Sequence, residues 1–343
     1  MKEYILGIES SCDETSVAIC DLEGKLYANI VSSQIATHSK YGGVMPEMAS
    51  RLHIENINYV LKAALYDAKL DFKDLAAVAV TTGPGLIGAL HVGLQAAKAL
   101  SLALDIPLIP IHHLVAHIYA SSYEKELRFP CLSLVVSGGH TELVYMPKEF
   151  AFEILGSTQD DAIGEAYDKV ARILGLGYPG GPKIDQAAKL GKSTYKLPKP
   201  HTENPYNVSY SGLKTYINNL VHNAKQKGEE IRINDLCASF QKRAIDMLVE
   251  KLILALKIRP VEQIVIAGGV AANSYLREQV LLAVKKEYPN IEVVLPPLWF
   301  CGDNAAMVAK LGGRLYKRQF FADLSLGVFP SWSILDYGVL KDE

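Results

Sequence analysis

"CLSLVVSGGHTELVYM", Cys131–Met146, reads as a buried strand, a glycine turn and a second strand running back. The same frame stands near the start of the chain as "YILGIESSCDETSVAICD", Tyr4–Asp21. Sliding the sequence by 126 positions (137 minus 11) lays Ser137 on Ser11 and Thr141 on Thr15, with "CLSLVV" over the first strand and "LVYM" over "VAIC". A match this short means little alone, but strand, turn and strand agree around it, which is the mark of an internal duplication. The expected architecture is α/β, with two duplicated lobes, each opening on a β-hairpin, around a cleft.

Working outward, "LYANIVSSQ" adds a third strand, and a helix from about Glu47 places Ile54, Ile57, Leu61 and Leu65 on one face. "LAAVAVTTGPG" reads as a buried strand entering a glycine-rich turn, "LHVGLQAAKALSLAL" as a helix and "IPLIPI" as the next strand, a right-handed crossover. In the second half a helix is expected near Asp161–Leu174, a Pro/Gly/Lys-rich connection from Tyr178 to about Thr215 and a long helix over Phe240–Leu256. Strand, glycine turn and helix follow in "QIVIAGGVAANSYLREQVLLAV", with Asn273 at the N-cap. The expected boundaries are 1–127 for the first lobe, 128–310 for the second, and 311–343 for a segment packing back on the first.

Composition bounds the function. The 343 residues are 49% hydrophobic, enough for two cores, and 35 basic against 37 acidic residues leave a net charge of −2. A nucleic acid held by bulk charge is excluded, so a polyanion must meet a local patch. Cys12, Cys20, Cys131, Cys237 and Cys301 form no C-x-x-C pair, which fits free thiols in a reducing compartment. The start lacks the long apolar region of a signal peptide, and "ALSLALDIPLIPI" is broken by Asp105, Pro107 and Pro110. A cytoplasmic location is expected.

Three glycine turns follow strands, "TTGPGLIG", "VSGGHT" and "AGGVAAN", and exposed backbone N–H groups at such turns suit anions. The turn at Gly138 is expected to want a positive φ. Gly83, Gly85 and Gly88 spell G-x-G-x-x-G, but a dinucleotide site also needs an acid at the end of the next strand, which here ends in histidines. In "PIHHLVAH" (Pro110–His117), His113 and His117 are four apart and share one face of a helix, so two imidazoles can reach one metal ion. Capping or packing is the ordinary role of such a pair, and His112 complicates the count. Leu114 stands where a zincin carries its glutamate base, which argues against peptide hydrolysis.

Taken together, "GIESSCDETSVAI", "TTGPGLIGALHVG", "HHLVAH", "LVVSGGHTELV", "DAIGEAYDKVARILGLGYPGGPKID", "YSGLKT", "IAGGVAANSYLR" and "CGDNAAM" resemble the TsaD family. These are tRNA N6-adenosine threonylcarbamoyltransferases, once labelled O-sialoglycoprotein endopeptidases, and the resemblance is to the bacterial type. It covers Gly7 to Met307 and implies the actin-like ATPase fold, with two ribonuclease-H-like lobes. It also implies that Asp303, otherwise an ordinary N-cap, joins His113 and His117 as a metal ligand. One divalent ion per subunit is implied; two imidazoles and one carboxylate suit Fe(II) first, with Zn(II) or Mg(II) as alternatives.

By the same resemblance Val135, Val136, Ser137, Gly138 and Gly139 cradle the phosphate of an adenylate or ATP, and Asp168, Gly181, Asp185 and Asn273 hold its nucleoside. Read as ordinary structure, Asp168 belongs to a charged helix face with Asp161, Glu165 and Arg172, and Asn273 is a cap. Asp13 and Glu14 in the first hairpin turn are the candidate catalytic carboxylates, with His140 a weaker one. The implied reaction uses threonylcarbamoyl-AMP, its phosphate on the metal, and the adenosine 3′ of the anticodon in tRNAs reading codons that begin with A; AMP leaves. Lys189, Lys192, Lys196 and Lys199, with "RLYKR" (Arg314–Arg318), are candidate tRNA contacts. The implied partners are tRNA, a metal-free paralogue of the TsaB type and a small P-loop ATPase of the TsaE type, with no membrane. The rival readings are an ATP-dependent small-molecule kinase of the same fold and a nucleotide-regulated scaffold.

Overall fold

The computed structural model describes residues 2–338. Two compact units emerge, one made of residues 2–124 with 302–338, the other of Lys125–Cys301. The chain re-enters the first unit at Gly302, ahead of the return expected from 311.

In chain order the first unit holds β1 (Tyr4–Glu9), β2 (Glu14–Asp21), β3 (Leu26–Ser33), the short α1 (Ile35–His38), α2 (Pro46–Ala68), β4 (Leu75–Gly83), α3 (Ile87–Leu104), β5 (Leu108–His112) and α4 (His113–Ala120). The second holds β6 (Cys131–Val136), β7 (Thr141–Met146), β8 (Glu153–Ser157), α5 (Ile163–Ile173), α6 (Gly180–Lys189), α7 (Ser211–Lys227), α8 (Ile233–Leu256), β9 (Gln263–Ala267), α9 (Ser274–Glu287), β10 (Glu292–Val294) and α10 (Leu298–Cys301). α11 (Ala305–Lys317) completes the first.

The two sheets have one topology. The first runs β3-β2-β1-β4-β5 and the second β8-β7-β6-β9-β10, each an antiparallel meander of three strands extended by two parallel ones. The hairpin registers also agree. Glu9 faces Ser16 and Val135 faces Glu142, and adding 126 to 9 and 16 gives 135 and 142. Because a slip of one residue would turn each side chain to the opposite face, this agreement establishes the duplication at the level of side-chain direction.

One face of the first sheet buries Leu6, Ile8, Val17, Ile19, Val78 and Val80 against α2 and α3. On α2 the buried stripe is His53, Ile57, Val60, Leu61, Ala64 and Leu65, whereas Ile54, expected on it, is 62% exposed. At this turn the stripe runs through His53, and Ile54, the next residue, falls about 100° round the helix from it. α3 is long and apolar enough to cross a membrane by length and composition alone, yet Leu94 and Ala97 lie in this core. Fully burying a leucine such as Leu94 is worth roughly 1.5–3 kcal/mol. α11 carries small residues that permit close approach. A Cβ on Gly7 of β1 would lie 2.6 Å from the Ala309 nitrogen, and one on Gly312 would lie 2.6 Å from the Ala79 Cβ.

In the second unit, "PGGPKIDQAAK", expected as part of a loop, forms α6 instead. Its glycines and Pro182 fall in the first turn, where missing or unpaired N–H groups cost little, and the Gly180 N–H is taken by the Asp168 carboxylate at 2.7 Å. α8 begins earlier than expected, at Ile233.

Candidate metal centre and adenylate cavity

β5 ends at His112 and α4 begins at His113, so the end of a buried strand delivers the histidines; all eight residues of α4 are buried. His112 points elsewhere, its Nε2 3.2 Å from the Trp332 carbonyl and its ring 5.0 Å from the Trp332 ring. His113 and His117 meet edge to face, with centroids 4.6 Å apart. Asp303 reaches them from the turn before α11. The N-cap there is Asn304, whose Oδ1 accepts from the N–H groups of Ala306 and Met307, so the Asp303 carboxylate is not consumed in capping. The His117 Nε2 lies 3.0 Å and the His113 Nε2 3.5 Å from the Asp303 Oδ1, and one ligating atom from each residue falls within 4.8 Å of the others. Three neutral or anionic donors converging at that spacing fit one divalent ion.

A residue that sequence reasoning missed stands behind them. Glu9, fully buried at the end of β1, accepts from the His113 Nδ1 at 3.2 Å, from the Thr81 hydroxyl at 2.6 Å and from the Ser11 N–H at 2.6 Å. The only hint was an acid closing an otherwise apolar strand, "YILGIE". Burial opposes charge at His113, yet the carboxylates of Asp303 and Glu9 outweigh it and hold the imidazole well above its usual range. For Glu9 and Asp303 burial likewise opposes ionisation, and the imidazolium of His113, joined at Asp303 by His117, holds both below the usual carboxylate range.

The first hairpin turn adjoins this cluster. His53 of α2, also missed, fixes it: its Nε2–H donates to the Cys12 carbonyl at 2.9 Å, leaving Nδ1 to accept the Thr15 hydroxyl at 2.7 Å. Asp13 is buried, and Glu14 has the Ser33 hydroxyl 3.2 Å away. Burial, then the charges of Asp13 and Asp303, push the Glu14 carboxyl well above its ordinary range. Two N–H groups of the turn "TTGPGLIG" are used within the fold. The Gly85 N–H donates to the Pro330 carbonyl, the Leu86 N–H donates to the Ser11 carbonyl, and a Cβ on Gly83 would fall 2.0 Å from the Phe329 oxygen.

In the second unit a cavity of about 380 Å³ is lined by Gly138, Gly164, Asp168, Gly181, Asp185, Gly269 and Asn273 among others. The turn beside it is fixed by Thr141, whose hydroxyl oxygen accepts from the Ile163 N–H at the start of α5, and by the Gly164 N–H on the Ser137 carbonyl. Gly138 and Gly139 do not adopt the expected positive φ. What distinguishes them is space. A Cβ on Gly138, Gly139, Gly181 or Gly269 would meet nothing within 4 Å, and among the described residues no acceptor takes the N–H of Gly138 or Gly139. Open N–H groups beside a helix N-terminus form an anion-binding concavity.

Val135 and Val136 are buried strand residues below that turn, and the Ser137 hydroxyl accepts from the His140 N–H. Asp185 and Asn273 are joined by Gln241, the third residue missed: its Nε2 donates to the Asp185 Oδ1 at 3.1 Å and its Oε1 accepts from the Asn273 Nδ2 at 2.8 Å. Asn273 also caps α9 through the Leu276 N–H, as expected. Asp161 pairs with Lys169 and Lys214, leaving Asp168 to hold α6. Several of the candidate tRNA contacts are engaged within the fold: Lys189 with Asp185, Lys199 with Glu250, Lys317 with Glu23, and Arg314 over the Tyr119 ring.

Twin five-stranded units of this order define the class, the actin-like ATPase fold. Full-length HypF in its phosphate- and nucleotide-bound form shares it with a TM-score of 0.58 at 15% identity, over 94% of this chain and 47% of that one. Component A of the Acidaminococcus fermentans (R)-2-hydroxyglutaryl-CoA dehydratase does so with a TM-score of 0.51 at 14% identity, over 92% and 99%. At such identities the likeness is one of fold. The sequence narrows it: the family model of TsaD, tRNA N6-adenosine threonylcarbamoyltransferase, matches residues 25–310. Proteins of that description from Bacillus thuringiensis (strain Al Hakam) and Streptococcus pyogenes serotype M5 are 53% and 51% identical, the former over 96% of both chains, the latter over 96% of this chain and 95% of its own. The chain belongs to the tRNA N6-adenosine threonylcarbamoyltransferase family, and it is a transferase acting on tRNA.

Proposed function

We propose that the donor is threonylcarbamoyl-AMP, that the acceptor is the N6 amine of the adenosine 3′ of the anticodon in tRNAs reading codons that begin with A, and that AMP is released. The observation that carries this reading over a kinase or a nucleotide-regulated scaffold is the cluster of His113, His117 and Asp303 with Glu9 behind it. The rivals need only the cavity and leave these buried groups without a use.

The adenylate sits in the cavity of the second unit, its phosphate on the open N–H groups of Gly138 and Gly139 and its nucleoside beside Gly181, Asp185 and Asn273. Asp185 enters with its carboxylate oriented by Gln241 and Ser274. Asp168 mainly anchors α6, and Val135, Val136 and Ser137 act by carrying the turn. His113, His117 and Asp303 hold one divalent ion, Fe(II) by preference with Zn(II) or Mg(II) as alternatives. Bound there, it would supply Lewis-acid positive charge for an anionic group of the substrate. In the transfer, the adenine N6 forms a bond to the carbamoyl carbon, the bond from that carbon to the phosphate oxygen breaks with its electron pair going to AMP, and one N6 proton must go to a base. Asp13 receives it. Glu14, the next residue, is the second candidate for that role.

The enzyme works in the cytoplasm with a metal-free paralogue of the TsaB type as dimer partner and a small P-loop ATPase of the TsaE type. Nucleoside mass spectrometry of tRNA after incubation with threonylcarbamoyl-AMP and those partners tests the reading. Threonylcarbamoyladenosine is the expected product. Its absence, with phosphate transfer to a small molecule in its place, would establish the kinase.

A further inference from the structure

We infer that Glu9 is a positioning residue that locks the metal ligand His113 and the turn that carries Asp13 and leads into Glu14 of β2 to one another, so that occupation of the metal centre is felt at the candidate catalytic carboxylates. This rests on the metal reading above. The argument is geometric. Glu9 is fully buried, and its two oxygens face different parts of the site. Oε1 accepts the Ser11 N–H at 2.6 Å, and Ser11 lies two residues before Asp13 in the hairpin turn. Oε2 accepts the Thr81 hydroxyl at 2.6 Å and the His113 Nδ1–H at 3.2 Å. The Ser11 hydroxyl closes the triangle, 3.2 Å from the same Nδ1.

A carboxylate on Nδ1–H fixes the tautomer and ring plane of His113 and leaves Nε2 as the ligating atom. His117 has no such support: its buried Nδ1 has no hydrogen-bond partner among the described residues. Orientation of His113 therefore rests on Glu9, while His117 is held through Nε2 by Asp303, and a His113 ring moved by coordination pulls on the carboxylate that also holds the Ser11 N–H.

Glu9→Gln is diagnostic because each native neighbour of the carboxylate is a donor. An amide has one acceptor oxygen, so it satisfies either Ser11 or the Thr81–His113 side and turns an NH₂ on the other. Glu9→Asp keeps the charge and withdraws the oxygens from the His113 Nδ1 by one methylene. The test uses the full chain and Zn(II) as probe, with a competing chelator to read affinity and hydrogen exchange of the Ser11–Thr15 amides with and without zinc. Expected are a weakening of zinc binding by about 10- to 100-fold in both variants and a zinc-dependent slowing of turn exchange that wild type shows and the variants lose. Thermal unfolding of the zinc-free proteins separates this from a merely structural role, which would lower stability and leave zinc affinity in the folded fraction unchanged. Should Glu9→Gln not fold, Glu9→Asp decides. Wild-type zinc affinity in a folded variant, or turn exchange in wild type indifferent to zinc, overturns the inference while leaving the metal reading intact. Failure of wild type itself to bind zinc or Fe(II) overturns both.

Discussion

Replacing Gly138 by alanine is expected to leave the fold as stable as before, or slightly more so, while damaging adenylate binding. The two signs come from one geometry. Gly138 lies outside the positive-φ region, and a Cβ there meets nothing within 4 Å, so the substitution brings neither strain nor collision. Reduced freedom of the unfolded chain then favours the folded state by about 0.4–1 kcal/mol. Gly138 lines a cavity of about 380 Å³, so the new methyl adds bulk at the wall where the proposed phosphate would meet the N–H groups of Gly138 and Gly139. Losing one hydrogen bond to a charged group costs about 1.5–3 kcal/mol, which is roughly 10- to 150-fold in affinity. Gly164→Ala is the contrasting case. Its Cβ would fall 2.7 Å from the Ser137 carbonyl oxygen and 2.9 Å from the Gly138 Cα, so stability and binding should fall together. Titration calorimetry with ATP or a threonylcarbamoyl-AMP analogue, run beside thermal unfolding, measures both quantities. Unchanged affinity in Gly138→Ala would refute the cradle, and a large loss of stability would make the turn a structural element.

Asp13→Asn keeps the turn geometry and removes the proton acceptor, so single-turnover transfer with saturating partners should fall by at least about 10²-fold while adenylate affinity holds; a rate within a few-fold of wild type would move the role to Glu14 or His140. His117→Ala and Asp303→Asn should each abolish stoichiometric metal in a folded protein, and elemental analysis showing full occupancy in both would remove them from the centre. The metal-free cluster should confer a pH-dependent stability. His113, raised above its ordinary 6.5, contributes fully below that value and loses the contribution as pH rises through the raised one, whereas Glu9 and Asp303, lowered from 4.5 and 3.8, contribute above those values and lose it as pH falls through the lowered ones. Urea unfolding in the presence of chelator should therefore show the cluster's contribution largest between about pH 4.5 and 6.5, and smaller in Asp303→Asn, where the Glu9–His113 pair remains; identical pH profiles for the two proteins would contradict it.

The repeated hairpin was legible in sequence because strand alternation and turn chemistry are local, and a register carried unchanged over 126 positions (137 minus 11) preserves which side chains face inward. The histidine pair was legible for the same reason, since i and i+4 on a helix share a face. Asp303 was ambiguous in sequence, because an aspartate before an apolar helix caps as readily as it ligates, and only the fold shows Asn304 doing the capping. α6 was missed because glycine and proline signal a loop, while the group that starts this helix, the Asp168 carboxylate, comes from a different helix. His53 and Gln241 carried no local signal, and Glu9 only that of an acid closing an apolar strand. Each acts through a partner far along the chain, Thr81 and His113 for Glu9, Cys12 for His53, Asp185 and Asn273 for Gln241, and such pairings exist only once the strands and helices that bear them have packed. Local propensity and periodicity thus determined most of the elements and the histidine pair, and the resemblance of the motifs supplied the other site residues, whereas tertiary packing alone decided which buried polar groups hold those residues in place, because an unpaired polar group in the interior costs so much that its partner must be supplied from wherever the chain returns.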